Sequence, residues 1–314
     1  MNFIQKGFLG DTSVWFYILT IVLVFVGIQF AGIPLILAAF FTVDGDLQKF
    51  QEGALTNFME IGMDSNLYLF LMIFTFMIAI LVLFLCVKYL HKRAFVSIIT
   101  AREKIDWKRV FFAFALWGGI SIVTICISIF LSPEEFVWNF KPLPFFILVF
   151  VSFIFLPFQT SAEEFIFRGY LMQGFGILAK NRWVPLLLTS TIFGLLHGMN
   201  PEVEKLGYIL MVFYIGTGLL YGITTLMDEG TELAIGLHAS NNIVAAFFVT
   251  TNWTVFRTDA LYIDISAPEV TWDMFVSVLV LYPLLLLVFS KKYGWSNWKE
   301  KLFGKVQKPL NLEE

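Results

Sequence analysis

A chain of 314 residues that is 58% hydrophobic and 14% charged lies far from the roughly 25% charged content of soluble domains. Its mean hydropathy of +0.79 and its repeated apolar runs near the ~20 residues needed to cross a bilayer leave no room for a separate soluble domain. A net charge of -3, with no basic stripe interleaved with aromatics, gives no footing for a nucleic-acid partner, and membrane lipid is the expected surrounding.

One cation, Lys6, precedes the first apolar run, which is too long for a signal-peptide core and lacks a small-residue cleavage site, so it is expected to be retained as a span. Eight spans are predicted, over 15–41, 66–90, 110–132, 144–180, 183–199, 206–227, 231–250 and 272–290. Lys88, Lys92, Arg93, Arg102, Lys104, Lys108 and Arg109 follow the second span, and Lys291, Lys292, Lys299, Lys301, Lys305 and Lys308 follow the last. The positive-inside rule places both segments, and with an even span count both termini, in the cytoplasm. The loops around 42–65 and 257–273 are acidic and belong outside. The turn Asp228-Glu229-Gly230 is acidic although placed inside, which this rule tolerates because carboxylates contribute little to it.

Cys86 and Cys126 stand in apolar runs without a spacing partner and are read as buried, reduced and structural. Gly216, Gly218 and Gly222 in the sixth span give a smooth face for close helix contact, a packing feature. Trp183, Trp253 and Trp272 lie near predicted span ends, where interfacial aromatics collect. The fourth span is unusual. Its apolar pattern continues past Pro157, which removes one backbone hydrogen bond, through Phe165, Phe167 and Leu171 to about Ile177. At ~1.5 Å per residue, Glu163 then lies about 21 Å from the cytoplasmic turn, and His197 returns to that depth from Trp183.

Ionisable residues within a span are costly and persist where they pair or line a cavity. Three pairs recur at i, i+4 spacing, each on one helix face: Glu164 with Arg168, Phe193 with His197, and His238 with Asn242. His91, the remaining histidine, sits in a basic segment and reads as solvated. Glu164 stands in the favourable order to pair with Arg168, which keeps its charge everywhere. Glu163, about 100° round the helix, is left as the candidate general base, with a nearby histidine able to share or steer its proton. Taken singly, the Glu-Glu-Arg group could merely fix helix contacts, His197 could be a satisfied core histidine, and His238 with Asn242 could bond neighbouring helices. Together they are the parts needed to activate water and hold an oxyanion. Phe193 reads as a wall, and Asn241 could also face the site.

These motifs, Glu163-Glu164-x-x-x-Arg168, Phe193-x-x-x-His197 and His238-x-x-x-Asn242, resemble those of the CAAX protease and bacteriocin-processing (Abi) family of intramembrane endopeptidases. The resemblance covers about residues 157–246. It implies an all-α fold of about eight transmembrane helices around an intramembrane catalytic cavity. The expected organisation is one structural unit: 1–140 with three helices, a catalytic core over 141–250, and 251–314 with an external loop, the last helix and a basic tail. It further implies that Glu163 activates water with help from His197, that His238 and Asn242 hold the oxyanion, and that Glu164 and Arg168 brace the helix. Eukaryotic members trim prenylated CAAX proteins; bacterial ones are linked to peptide processing, export or self-immunity.

The expected substrate is a hydrophobic or lipidated peptide, the expected compartment the bacterial plasma membrane, and no cofactor is expected. Two His and one Glu could instead hold a catalytic zinc, although no His-Glu-x-x-His is present. Further alternatives are a non-catalytic immunity or scaffold protein and a proton-coupled transporter, the latter opposed by the lack of a duplicated broken-helix pattern. Nothing in the sequence selects an oligomeric state.

Overall fold

The computed structural model describes residues 1–312; Glu313 and Glu314, the end of the predicted tail, lie outside the described residues. Eight principal helices run back and forth: α1 Val14–Thr42, α2 Ser65–Tyr89, α3 Trp107–Leu131, α4 Pro142–Ala179, α5 Trp183–Leu196, α6 Tyr208–Asp228, α7 Glu232–Phe247 and α8 Met274–Tyr293. Local chemistry sets their ends. Asp64 caps α2 by accepting from the Leu67 N–H at 2.9 Å, and Asp106 caps α3 through Lys108 N–H at 3.1 Å, each satisfying an otherwise orphaned donor. Pro142 opens α4, where its missing N–H costs nothing. Left-handed Lys180 and Glu229 (φ 56° and 59°) stop α4 and α6.

Six of these helices are long and apolar enough to cross a membrane. The exceptions are α5 and α7, of 14 and 16 residues, which at ~1.5 Å per residue fall short of the ~30 Å hydrocarbon thickness. Eight full spans are therefore not established; the fifth ends in a 3-10 turn at His197–Met199 where a longer helix was expected. The all-α expectation holds apart from a small sheet in the order Phe136–Trp138, Tyr262–Asp264, Val249–Thr250, antiparallel then parallel.

Close approach lets the two short helices sit inside the bundle. A Cβ on Gly236 would lie 2.2 Å from the Val110 carbonyl of α3, and one on Gly218 would lie 2.8 Å from the Ser190 carbonyl of α5. The glycine face of α6 is thus a packing face, as its spacing suggests.

The two ends of the bundle differ sharply. At one, the N-terminal turn, the turns after α4 and α6, the segment after α2 and the C-terminal tail are bonded together. Lys180 accepts from Val306 N–H at 2.9 Å, Arg182 bonds the Lys301 carbonyl, and Gln5 bonds the Gln307 carbonyl. The acidic turn belongs to this basic end because it is paired: Asp228 with Arg102 (2.9 Å) and Arg109 (2.8 Å), Glu229 with Arg182 and Lys301. At the other end the two acidic loops meet through Arg257 and Glu60 (3.0 Å), and Lys141 pairs with Asp259 (3.3 Å).

Two single-residue expectations change. Cys86 is buried but Cys126 is exposed on the bundle's outer face; an apolar stretch predicts immersion, and does not say whether lipid or protein covers a side chain. His91 is fully buried, with Nδ1 donating to the Asp11 carbonyl at 2.7 Å and Nε2 against the Tyr170 hydroxyl at 2.6 Å. The tertiary fold draws it out of water into that pair of bonds.

Candidate active site

The carboxylates stand where α4 changes its winding. Residues Phe165–Leu171 form π-helical turns directly after Glu164, inside one continuous helix, a distortion frequent at functional sites. Arg168 lies within it and is fully buried. Its guanidinium donates to Glu164 Oε1 at 3.3 Å and to the Gly218 carbonyl at 3.2 Å, and its Cζ lies 4.2 Å from the centre of the Phe193 ring. The predicted pair therefore forms, and Phe193 contributes a cation–π face. Phe193 also packs between the two histidines, 4.6 Å from His197 and 5.9 Å from His238, centre to centre.

His238 joins the same carboxylate. Its Nδ1 is 2.8 Å from Glu164 Oε1, while its Nε2 stands 3.9 Å from Glu163 Oε2. An ionised carboxylate only accepts, so Nδ1 carries the hydrogen, and the ring is clamped by stacking on Tyr221 at 5.0 Å. Glu163 also receives a long contact from Gln159 Nε2, 3.5 Å. Among the described residues no hydrogen bond or ion pair joins Glu163 to His197; the histidine within 4 Å of Glu163 is His238.

His197 has its own tether. Its Nδ1 lies 2.8 Å from the Phe193 carbonyl, an acceptor, so the neutral ring keeps a free lone pair at Nε2. Its plane is stacked on Tyr214 at 4.6 Å and 25°. Tyr214 in turn donates to Glu202, which also accepts from Asn200 and from the Val255 N–H at 3.1 Å.

The orientation of Asn242 follows from a chain of bonds. Trp117 Nε1–H can only donate, and it lies 3.3 Å from Asn241 Oδ1. Asn241 must then offer its NH2 group, which donates to Asn242 Oδ1 at 3.2 Å. That leaves the Asn242 NH2 group free to donate elsewhere.

Glu163, Phe193, His197, His238, Asn241 and Asn242 all line one cavity of about 720 Å³, whereas Glu164 and Arg168 lie behind its wall. Gln159, Tyr214, Tyr221 and Glu202 line it too and were not singled out from sequence. Gln159 stands four residues before Glu163, so the i, i+4 rule could have found it. Glu202 and Tyr214 carry no periodic signal, because a short helix at Pro201–Leu206 and the separate helix α6 bring them in. Among the described residues no group of three or more His, Cys, Asp or Glu side chains is arranged to hold a metal ion.

No solved structure matches the chain. An uncharacterized protein of Bacillus subtilis (strain 168), YyaK, is 29% identical over 307 residues, covering 96% of this chain and 98% of the relative. Residues 142–244, the stretch bearing all three motifs, match the family described as type II CAAX prenyl endopeptidase Rce1-like. Those residues carry the chain's similarity to the Rce1-like family.

Proposed function

We propose that this protein is an intramembrane endopeptidase of the glutamic type that hydrolyses a hydrophobic or lipidated peptide. The observation that carries the reading is the convergence of Glu163, His197, His238 and Asn242 on one cavity, with the charge of Arg168 already matched behind it.

Glu163 takes a proton from water as the water oxygen bonds to the scissile carbonyl carbon. His197, held at Nδ1, steers that water with Nε2. The Asn242 NH2 group stabilises the oxyanion. His238 can join it only in its doubly protonated form, because Nδ1 already gives its hydrogen to Glu164. Collapse of the tetrahedral intermediate breaks the C–N bond, and the proton held by Glu163 passes to the leaving amine. Arg168 and Glu164 hold α4 against α6 and α7.

The cavity wall is mostly apolar, and two of its lining residues, Phe25 on α1 and Leu196 at the end of α5, are 61% and 63% exposed. This supports access for a lipid-dissolved segment, consistent with the prenyl endopeptidase description of the family. The reading is metal-free; His238 and His197 each give the Nδ1 hydrogen to a protein acceptor and keep Nε2 free, a state that a zinc ligand shares, and sensitivity to a chelator separates the two mechanisms. The protein is proposed to lie in a bacterial plasma membrane with both termini in the cytoplasm.

The test compares membranes from cells making wild type, Glu163→Gln or His197→Ala at equal abundance, reading new peptide termini by mass spectrometry. A defined set present only with wild type is expected. Identical sets from all three folded proteins would end the peptidase reading. Activity that is lost to a chelator and restored by zinc would replace it with the zinc mechanism.

A further inference from the structure

We infer that the catalytic cavity is served from the extracytoplasmic face, so that its substrates are exported or membrane-anchored peptides cut from outside rather than cytoplasmic C-terminal tails. The chemistry rests on the peptidase reading; the direction rests on depth and charge.

Depth is counted from the basic end. At ~1.5 Å per residue, Tyr221 lies about 10 Å into α6 from Asp228, and His238 about 9 Å into α7 from Glu232. These two rings and Phe193 form a closed floor, 2–4% exposed. Beneath them Arg102, Arg109, Asp228 and Glu232 form an ion-pair knot across the basic end. His197 and Tyr214 lie about 21 Å from that end, fourteen residues along α5 and α6. Beyond them the lining passes into the far loops, where the polar Asn200, Glu202, Thr251 and Thr254 stand beside Val249, Val255 and Phe256. The cavity is sealed toward the termini and reaches the opposite end.

Charge sets which end is which. Of the 21 Lys and Arg residues, only Lys49, Lys141, Lys205 and Arg257 stand at the far end and Arg168 within the bundle; all others belong to the end that carries the termini. The positive-inside rule puts that basic end in the cytoplasm. Hydrolysis consumes one water per bond cut, and the polar rim at Asn200, Thr251 and Thr254 is the hydrophilic path to Glu163. A peptide whose apolar part lies in the membrane and whose cleavage site emerges outside fits both the apolar wall at Phe25 and Leu196 and this rim.

The experiment uses full-length protein with Cys86→Ala and Cys126→Ala, carrying Asn200→Cys, Thr254→Cys or Lys308→Cys, and a membrane-impermeant maleimide on intact cells. Asn200→Cys and Thr254→Cys are expected to label at least tenfold faster than Lys308→Cys, which labels after permeabilisation. Labelling of Asn200→Cys only after permeabilisation, or its resistance on both sides while Thr254→Cys reacts, would overturn the inference. In a second arm, maleimide treatment of intact Asn200→Cys cells should abolish the enzyme-dependent peptide termini relative to untreated cells of the same variant; unchanged termini would overturn it. Labelling needs no hydrolysis, so outside labelling without any enzyme-dependent termini would sink the peptidase reading and leave the direction of the cavity standing.

Discussion

His238 Nδ1 donates to Glu164 Oε1 at 2.8 Å, and that oxygen is the one that accepts from Arg168 at 3.3 Å. A single carboxylate thus ties the distorted part of α4 to α7 and neutralises a buried guanidinium. Glu163, its neighbour in sequence, has only a 3.5 Å contact from Gln159 and a 3.9 Å approach from His238. Adjacent glutamates therefore have separable roles.

Removing Glu164 should cost stability. Glu164→Ala strands the Arg168 charge, and breaking a buried pair costs roughly 3–5 kcal/mol. Glu163→Gln keeps side-chain size and removes no ion pair of Arg168, so its cost should stay below about 1 kcal/mol. Thermal unfolding in detergent checks this; equal melting of the two variants would dismiss the clamp.

Asn242→Ala should slow formation of the enzyme-dependent termini by about 10²–10³, the usual loss of one oxyanion donor. Trp117→Phe keeps the ring but deletes the N–H that orients Asn241. A lost net hydrogen bond of roughly 0.5–1.5 kcal/mol corresponds to about a 2- to 12-fold slower reaction, with Tm little changed. Full activity in Trp117→Phe would show that the amide chain does not set the donor.

Burial pushes the His91 imidazole below its ordinary value of 6.5, opposed in part by its bond to the Asp11 carbonyl. The unfolded chain therefore takes up this proton first. The stabilisation is complete above pH 6.5 and is lost as pH falls below it, by up to about 1.4 kcal/mol per pH unit. Detergent melts from pH 7.5 to 5.5 should show wild type losing stability more steeply than His91→Gln. Parallel curves would remove His91 as the cause.

Gly236→Ala should destabilise by about 1–3 kcal/mol, as overpacking does, because its Cβ would sit 2.2 Å from the Val110 carbonyl. Gly119→Ala, with nothing within 4 Å, is the matched control. Similar Tm values for both would mean that α3 and α7 can separate at little cost.

Much of the site was readable before the fold. Glu164 with Arg168, His197 with Phe193, and His238 with Asn242 share helix faces, and helical spacing is a local property that side-chain type alone reveals. The partner of His238 was not readable, because α4 and α7 are far apart in sequence. The resemblance implied His197 as the helper of Glu163, where the residues themselves left the choice of histidine open; the histidine within 4 Å is His238. Asn241 was visible as a residue that could face the site, but its bond to Trp117 of α3 was not.

Composition and periodicity determined that this is a helical membrane protein, where its apolar runs lie, and which ionisable groups sit among them, since each depends on the local cost of placing a side chain in hydrocarbon. Tertiary packing decided the rest. It shortened α5 and α7 to helices that fit inside the bundle, buried His91, turned Cys126 outward and gathered Glu202 and Tyr214 beside His197. It also closed the cavity toward the termini and carried it to the far loops. Those outcomes depend on contacts between segments distant in sequence, and no local spacing records which segments will meet.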